Sequence, residues 1–205
     1  MGLTTAQIRD HLDAVAADDK VVAGALERVG YPEERIRSTG YRTLLRTIVG
    51  QQVSVAAAAS VWRKLEAELG EDMHAHELLA RDFDTLRACG LSRQKQGYAR
   101  SLCELVAGGE LDLENLPADD EEAIEQLTRI KGIGRWSAEI YLLFAEGRQD
   151  IWPAGDLAVQ AACGKLLDLP ERPSEKETRA LAEKWKPYRG AMAIFTWHAY
   201  ADPAL

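Results

Sequence analysis

The sequence has few cysteines, no long apolar run and no stretch in which polar and apolar residues alternate as in a strand. Cys89, Cys103 and Cys163 are widely spaced, and none belongs to a Cys-x-x-Cys pair. This pattern argues against a disulfide framework and against a zinc or iron–sulfur site, so we expect buried thiols. No apolar run approaches the roughly 20 residues of a membrane span. The first residues, MGLTTAQIRDHLDAV, include acids, unlike a signal or transit peptide. We therefore expect a cytoplasmic protein.

The net charge of −8 is unevenly distributed along the chain. Residues 108–126, GGELDLENLPADDEEAIEQ, contain eight acids and no base, so the rest of the chain sums to zero. Two other regions are basic, and their positive residues are Arg87, Arg93, Lys95 and Arg100, followed by Arg129, Lys131 and Arg135. Local fields rather than total charge determine where an anion binds. A basic face is therefore compatible with the acidic composition, while the role of residues 108–126 stays open.

Nearly every apolar stretch has helical spacing. In TGYRTLLRTIVGQQ, one stripe comprises Tyr41, Leu44, Leu45, Ile48 and Val49. SVAAAASVWRKLEAELG predicts the next helix, which ends at Gly70. We predict the remaining helices over 4–17, 19–29, 75–81, 92–107, 121–129, 136–146, 157–168, 174–185 and 188–200. The sequence thus predicts an all-α protein with about ten helices joined by short loops.

Residues 130–145, IKGIGRWSAEIYLLFA, predict a tight turn between two helices. The Gly-x-Gly pattern is not a dinucleotide fingerprint, because no strand precedes it and Ser137 stands at the third glycine position. Glycine admits a close ligand, and the first amides of the following helix lack partners within that helix. A phosphate is a natural ligand for such a helix N-terminus, and Lys131, Arg135 and Ser137 could assist. The turn alone leaves an ordinary corner between helices equally open.

The stretch RQDIWPAGDLAVQAACGKLL adds an aspartate directly after a loop shaped by Pro153 and Gly155. Asp156 stands where the next helix begins, and an N-cap is the commonest role for an aspartate there. An N-cap also fixes a carboxylate in place, so a structural role and a chemical role are compatible.

These stretches resemble the helix-hairpin-helix (HhH-GPD) superfamily of DNA glycosylases, whose signature is a hairpin, a Gly/Pro-rich loop and a catalytic aspartate. LTRIKGIGRWSAEIYLLFAEGRQDIWPAGDLAVQ matches that signature. Three further blocks resemble the alkylpurine branch of 3-methyladenine glycosylase II type: RTIVGQQVSVAAAA, LRACGLSRQKQGYARSLCELV and WKPYRGAMAIFTWHAY. The resemblance extends from residue 36 to residue 201.

The resemblance implies one glycosylase unit, residues 1–205, with an all-α, two-lobed fold and an active-site cleft between the lobes. It assigns residues 36–150 to one lobe, which contains the hairpin at 121–146. The other lobe comprises residues 1–35 and 151–205. Larger bacterial relatives have an N-terminal β-rich domain, and helical sequence stands in its place here.

The family's functional residues carry over by position. Asp156 corresponds to the catalytic aspartate, and Trp136 stands where relatives that also cut the strand have a lysine, which implies base removal without lyase activity. A base pocket is implied for Trp136, Trp197, Ile140 and Leu157. The implied DNA-binding residues are Gln51, Gln52, Val53, Lys131, Gly132, Gly134, Arg135 and Ser137. Gln52, with Val53 as the alternative, would fill the gap left by a flipped nucleotide.

Tryptophans also pack in cores, and this is the alternative reading for Trp136 and Trp197. Packing is the expected role of Trp62, Trp152 and Trp185. Tyr188 and Arg189 are expected to start a helix that packs on the loop before Asp156.

The resemblance implies a monofunctional glycosylase of base excision repair that removes 3-methyladenine and 7-methylguanine, with ethenoadenine and hypoxanthine as further candidates. The expected partner is double-stranded DNA containing a damaged base, and the expected state is a monomer in the bacterial cytoplasm. No cofactor and no iron–sulfur cluster are expected. In relatives a hairpin Na⁺ or K⁺ is held by carbonyls that correspond to those of Thr128, Ile130 and Ile133. The alternatives are a non-catalytic helix-hairpin-helix DNA-binding protein and a glycosylase for oxidised or mismatched bases.

Overall fold

Helices make up most of residues 1–201, the part of the chain described by the computed structural model. The twelve α-helices in that part are α1 Thr5–Asp18, α2 Lys20–Val29, α3 Tyr41–Gly50, α4 Val55–Leu69, α5 Ala75–Ala80, α6 Phe83–Ala88, α7 Arg93–Ala107, α8 Asp120–Thr128, α9 Arg135–Tyr141, α10 Leu157–Leu166, α11 Glu175–Leu181 and α12 Arg189–Ala201. A π-helix, Leu142–Glu146, continues α9, and a 3-10 helix, Ala182–Trp185, follows α11. No strand occurs within these 201 residues, which confirms the all-α prediction.

The helices begin where short polar side chains can accept hydrogen bonds from the first free amides. Thr4 and Gln7 form a capping box at the start of α1. Ser54 caps α4 and Ser92 caps α7, each accepting from an amide three residues later. Asp119 caps α8 through the amides of residues 121 and 122. These local signals set the helix starts close to the predicted positions.

The chain divides into two compact units. The central unit is Thr39–Tyr141, and the terminal unit combines Met1–Ser38 with the chain from Leu142 onward. The central unit buries the predicted stripe of α3 at Leu44, Leu45 and Ile48. Its helix α7 packs on α3 and α5.

The terminal unit is built mainly on the packing of α10 against α12 and of α1 against α2. Trp152 and Trp185 meet edge to face, with ring centroids 5.5 Å apart, and are 2% and 1% exposed. Trp62 of the central unit is 5% exposed. The packing roles predicted for these three tryptophans are confirmed.

The three cysteines are free and buried, as predicted. Burial raises the pKa of the Cys103 thiol to about 11 and that of Cys163 to about 12. These thiols are therefore protonated and unreactive at neutral pH. Along the described chain, none of the helices combines the length and apolar character needed to cross a bilayer.

Candidate active site

Asp156 is fixed at the N-terminus of α10. Its Oδ1 accepts hydrogen bonds from the backbone amides of Ala158 and Val159 at 2.9 and 3.0 Å. The Asp156 amide in turn donates to the Pro153 carbonyl at 2.9 Å, which closes the preceding turn. The residue is half-buried. The positive end of the helix dipole favours an anion at this position, and the cap holds the carboxylate in one orientation.

Trp197 adds a third donor to the same oxygen. Its indole Nε1–H, presented by α12, donates to Asp156 Oδ1 at 3.2 Å. The indole ring lies against Phe144 of the π-helix, with centroids 5.6 Å apart and planes inclined by 31°. Trp197 is half-buried, so its ring is not simply a core element. The sequence analysis assigned Trp197 to the base pocket and gave no indication of its contact with the aspartate.

The loop at residues 147–155 is held on several sides. Arg189 forms a two-point ion pair with Asp150, with distances of 2.8 Å from Nε and 2.7 Å from Nη2, as expected for a helix start packed on this loop. The Trp152 indole donates to the Thr178 carbonyl at 3.1 Å. Gln160 of α10 reaches back and donates to the Ala154 carbonyl at 2.8 Å. These contacts hold the loop against the rest of the terminal unit, and the loop in turn fixes the position of Asp156.

Leu157, the next residue after Asp156, is 62% exposed, an unusual environment for a leucine of this size. Ile140 of α9 is only 8% exposed, within the central unit. Of the two aliphatic residues assigned to the base pocket, Leu157 therefore presents the larger accessible apolar surface.

The hairpin turn of the central unit lies between α8 and α9. Gly132 has a φ of +82°, and a Cβ on it would lie 2.2 Å from the Tyr98 ring. Gly134 has an ordinary φ and open space around its Cβ position. The first glycine is thus required by the fold, whereas the second leaves an accessible surface. Such a surface admits a ligand close to the backbone.

Two arginines of the hairpin are paired with acids of residues 108–126. Arg135 donates to both Glu121 oxygens and, through Nε, to Glu139 at 2.9 Å. Hydrogen bonding to Glu121 raises the pKa of Arg135 despite partial burial. Arg129 pairs with Glu110 at 2.9 Å. Part of the acidic segment therefore fixes and neutralises bases that the sequence analysis grouped with a phosphate site.

Lys131 differs from these arginines. In residues 1–201 its exposed ammonium makes no ion pair, while its backbone amide donates to Ser101 Oγ at 3.1 Å.

Trp136 is 47% exposed in the first turn of α9, which excludes the core alternative for this tryptophan. Ser137, one residue later, is half-buried.

The basic stretch at residues 86–102 is also used internally. Arg100 donates to the carbonyls of Leu79 and Arg81, and the Arg93 guanidinium lies 4.8 Å from the Phe83 ring centroid. Lys95 donates to the Val49 carbonyl at 2.7 Å. These basic side chains therefore mainly link helices within the protein and do not form the compact basic face that the composition allowed.

The loop at residues 51–54, which we call the wedge loop, connects α3 to α4. Gln52 has a φ of +54° and is exposed, and Val53 is 44% exposed. A left-handed conformation is uncommon for glutamine, and such residues concentrate at functional sites. Gln51 is oriented differently, because its Nε2 donates to the Gly132 carbonyl at 2.8 Å.

The C-terminal end of α8 presents backbone carbonyls. Thr128 is the last residue of α8, and carbonyls at a helix C-terminus lack partners within the helix and carry the negative end of its dipole. The Ile130 carbonyl accepts from the Ile133 amide at 3.0 Å, which closes the turn. Within residues 1–201, no three His, Cys, Asp or Glu side chains are arranged to hold a metal ion.

Comparisons with known proteins identify the family of this chain. The family model described as "HhH-GPD superfamily base excision DNA repair protein" matches residues 45–187. DNA-3-methyladenine glycosylase 1 of Schizosaccharomyces pombe is 33% identical over 163 residues, which cover 77% of this chain and 71% of that protein.

Two solved structures are similar over most of their length. A DNA-3-methyladenine glycosidase from Bacillus halodurans superposes with a TM-score of 0.86 at 29% identity, covering 93% of this chain and 89% of that one. The 3-methyladenine DNA glycosylase of Schizosaccharomyces pombe, solved in complex with abasic DNA, has a TM-score of 0.76 at 29% identity. It covers 92% of this chain and 95% of its own.

Proposed function

This chain belongs to the HhH-GPD superfamily of base excision DNA repair proteins, and from that premise we propose that it is a monofunctional glycosylase for alkylated purines in duplex DNA. The relatives named DNA-3-methyladenine glycosylase support the substrate class. The observation that carries the proposal is the fixed carboxylate of Asp156, capped by two amides and an indole.

Asp156 has the properties that hydrolysis of a glycosidic bond requires. As the bond to the base breaks, positive charge develops on the deoxyribose, and a preorganised carboxylate stabilises that charge. The same group can orient or deprotonate the attacking water. A non-catalytic DNA-binding protein has no comparable use for a carboxylate fixed directly after the Gly/Pro-rich loop, at the position of the family's catalytic aspartate.

Base recognition in this proposal depends on aromatic surface. A purine alkylated at N3 or N7 is cationic, and the faces of tryptophan rings attract cations. Trp197 contributes one partly accessible ring, and Trp136 keeps its proposed stacking role because its ring is exposed. A cationic base is already a good leaving group, so little acid assistance is needed.

DNA binding is assigned to the hairpin and the wedge loop. The amides near Gly134 and the ammonium of Lys131 contact a backbone phosphate without reading sequence, which suits a search for lesions. Gln52, supported by the apolar Val53, enters the space of the flipped nucleotide. Unpairing costs a few kcal/mol, and less for a damaged base, so a lesion is extruded more easily than a normal base.

A Na⁺ or K⁺ at the hairpin would be held by the carbonyls of Thr128, Ile130 and Ile133. When bound, the ion would stabilise the turn electrostatically and would take no part in glycosidic cleavage. The residues near it act through the backbone, by presenting amides to the phosphate.

The direct test measures base release from a panel of duplexes, each with a single 3-methyladenine, 7-methylguanine, ethenoadenine, hypoxanthine, 8-oxoguanine or mismatched adenine. We expect release of one or more of the alkylated purines and none of the last two bases. Release of 8-oxoguanine or of mismatched adenine alone would reassign the substrate. Tight duplex binding without any base release would favour the non-catalytic alternative.

A further inference from the structure

Helix α7 connects the two DNA-contacting elements of the central unit. Three of its side chains, spaced three residues apart, reach either the last turn of α3, directly before the wedge loop, or the hairpin. Lys95 donates to the Val49 carbonyl at the end of α3, the Tyr98 ring lies against Gly132, and Ser101 Oγ accepts from the Lys131 amide. This spacing places them on one face of a helix.

The Lys95 side chain is only partly accessible to solvent. Its ammonium donates at 2.7 Å to a carbonyl in the last turn of α3, where the negative end of the helix dipole favours a cation. Desolvation lowers the pKa of the Lys95 side chain, and the residue is half-buried. An ammonium in this position acts on the protein backbone and is not presented as an exposed phosphate ligand.

Gln51 forms the second link to the wedge loop. Its side-chain amide donates to the Gly132 carbonyl at 2.8 Å, across 81 positions of sequence. Gly132 cannot shift easily, because Tyr98 occupies the space on its other side. The wedge loop is therefore attached at its start to the hairpin turn, and Lys95 attaches the last turn of α3, directly before that loop, to α7.

We propose that Gln51 and Lys95 are positioning residues that fix the distance between the hairpin amides and the wedge residue Gln52. When the hairpin holds a phosphate of a DNA strand, Gln52 then inserts into that strand at one defined nucleotide. Gln51 thus acts by orienting the loop rather than by filling the gap itself. The inference rests on the proposed base-flipping function, since it concerns how the insertion is aligned.

The test compares Gln51→Ala and Lys95→Met with the parent, with Lys64→Met as the control for loss of one positive charge. Lys64 is exposed on α4. Each protein is assayed under single-turnover conditions on the alkylated purine that the parent releases fastest, placed opposite its pairing base or opposite an abasic-site analogue. An unpaired lesion leaves the stack at low cost, so its removal depends little on the wedge.

We expect Gln51→Ala and Lys95→Met to slow release from the paired substrate by about three- to tenfold, the effect of losing one hydrogen bond. Slowing on the unpaired substrate should be clearly smaller, because an unpaired lesion leaves the stack with little help from the wedge loop. Lys64→Met should match the parent on both substrates. Equal slowing on paired and unpaired lesions, or no slowing on either, would overturn the inference.

A second readout covers the case in which a variant loses stability. Fluorescence of 2-aminopurine placed beside the lesion reports unstacking directly, and thermal melting reports the fold. Lys95→Arg retains a donor and should recover most of the paired-substrate rate, whereas Gln51→Glu places a carboxylate against the Gly132 carbonyl and should not. A parent that releases no alkylated base refutes the proposed function, while an active parent with parent-like variants refutes the positioning role alone.

Discussion

At the scale of single residues, the terminal unit contains two aspartates in nearly the same environment. Asp156 caps α10 through two amides and accepts from the Trp197 indole. Asp19 caps α2 through two amides and accepts from the Trp185 indole at 3.1 Å, and it also pairs with Lys184 at 2.7 Å. Capping geometry alone therefore does not identify a catalytic group. Asp156 differs from Asp19 because it directly follows the Gly/Pro-rich loop and corresponds by position to the family's catalytic aspartate.

We predict that Asp156→Asn reduces base release by at least about 100-fold, because the amide cannot oppose the charge of an oxocarbenium-like transition state. Asparagine also caps helices well, so the free energy of unfolding should change by about 1 kcal/mol or less. Binding to an abasic-site analogue should be retained. Single-turnover release and a fluorescence binding assay measure the two effects.

Asp19→Asn is the matched control. Burial raises the pKa of Asp19, but hydrogen bonds from Lys184 and Trp185 lower it overall. Its contribution to stability is present above the unfolded pKa and is lost as pH falls through the folded pKa. Asp19→Asn should therefore lower the melting temperature at pH 7, with a smaller difference at strongly acidic pH, and leave the excision rate of the folded protein unchanged. If Asp19→Asn and Asp156→Asn lost equal activity, a catalytic role for Asp156 would be untenable.

Trp197→Phe separates the ring from its hydrogen bond. Phenylalanine keeps an aromatic face near Phe144 but removes the donor to Asp156 Oδ1. We predict a fall in kcat of about three- to tenfold, corresponding to one hydrogen bond, with a smaller change in KM. Trp197→Leu, which also removes the aromatic face, should raise KM as well. Parent-like kcat in Trp197→Phe would assign this tryptophan to base stacking alone.

The product should be an intact strand with an abasic site. The position that carries a lysine in strand-cutting relatives is Trp136, so no Schiff base is expected there. Borohydride reduction during turnover should trap no covalent protein–DNA adduct, and gels should show strand cleavage only after alkali treatment. Trp136→Lys offers an informative companion, since trapping by that variant alone would show the position to be near the sugar.

At the scale of elements, the two glycines of the hairpin make separate predictions possible. Gly134→Asp adds a negative side chain where the Cβ position is open and φ is ordinary, so the protein should stay folded. We predict weaker binding to damaged and undamaged duplexes alike, because the phosphate contact ignores sequence. Lys131→Ala should act more mildly and lower the salt dependence of binding by about one phosphate contact.

Gly132→Ala is the contrasting variant, because its positive φ and the Tyr98 ring both oppose a side chain. It should lower the melting temperature, whereas Gly134→Ala should not. Affinities over a salt series, measured beside thermal melts, separate loss of fold from loss of contact. A folded Gly134→Asp protein with parent-like affinity would make the turn a simple corner.

The secondary structure was largely predictable because most helices carry a periodic apolar stripe and a polar cap. The exception is α6, a six-residue helix with only Leu86 buried, which was not predicted as a separate helix. The π-helical geometry at Leu142–Glu146 was likewise hidden within a predicted helix. Local sequence patterns indicate helical spacing and do not distinguish an α-helix from a π-helix.

The side-chain contacts of the site were less predictable. Asp156 and the glycine turn stand out in sequence because loop, glycine and cap signals coincide there. Lys95 was visible only as one base in a basic stretch, and its contact with the Val49 carbonyl depends on how α7 packs on α3. Glu121 was visible only as one acid among eight, although it fixes Arg135.

At the scale of the whole molecule, the question is how a protein with a net negative charge approaches negatively charged DNA. The acids of residues 108–126 have two uses. Glu110 and Glu121 are paired with hairpin arginines, whereas Glu114 and Glu122 are exposed and, within residues 1–201, make no ion pair. Glu110 and Glu121 support the hairpin, whereas Glu114 and Glu122 only add to the negative electrostatic field of the protein. Substituting Glu114 and Glu122 therefore changes that field without removing a contact that supports the hairpin.

We predict that Glu114→Gln with Glu122→Gln strengthens DNA binding mainly at low salt. Glu122 lies six residues before the end of α8, about 9 Å along the helix axis. The Debye length is about 8 Å at 0.15 M salt and about 30 Å at 0.01 M, so salt screens most of the repulsion at this distance at the higher concentration and little of it in dilute buffer. Association rates measured by stopped flow at the two salt concentrations should rise clearly in the dilute buffer and much less in the other. The fold should be retained, because each substitution is exposed and costs at most about 0.5 kcal/mol. A gain of equal size at both salt concentrations would mean that these acids contact the DNA directly rather than through the long-range field.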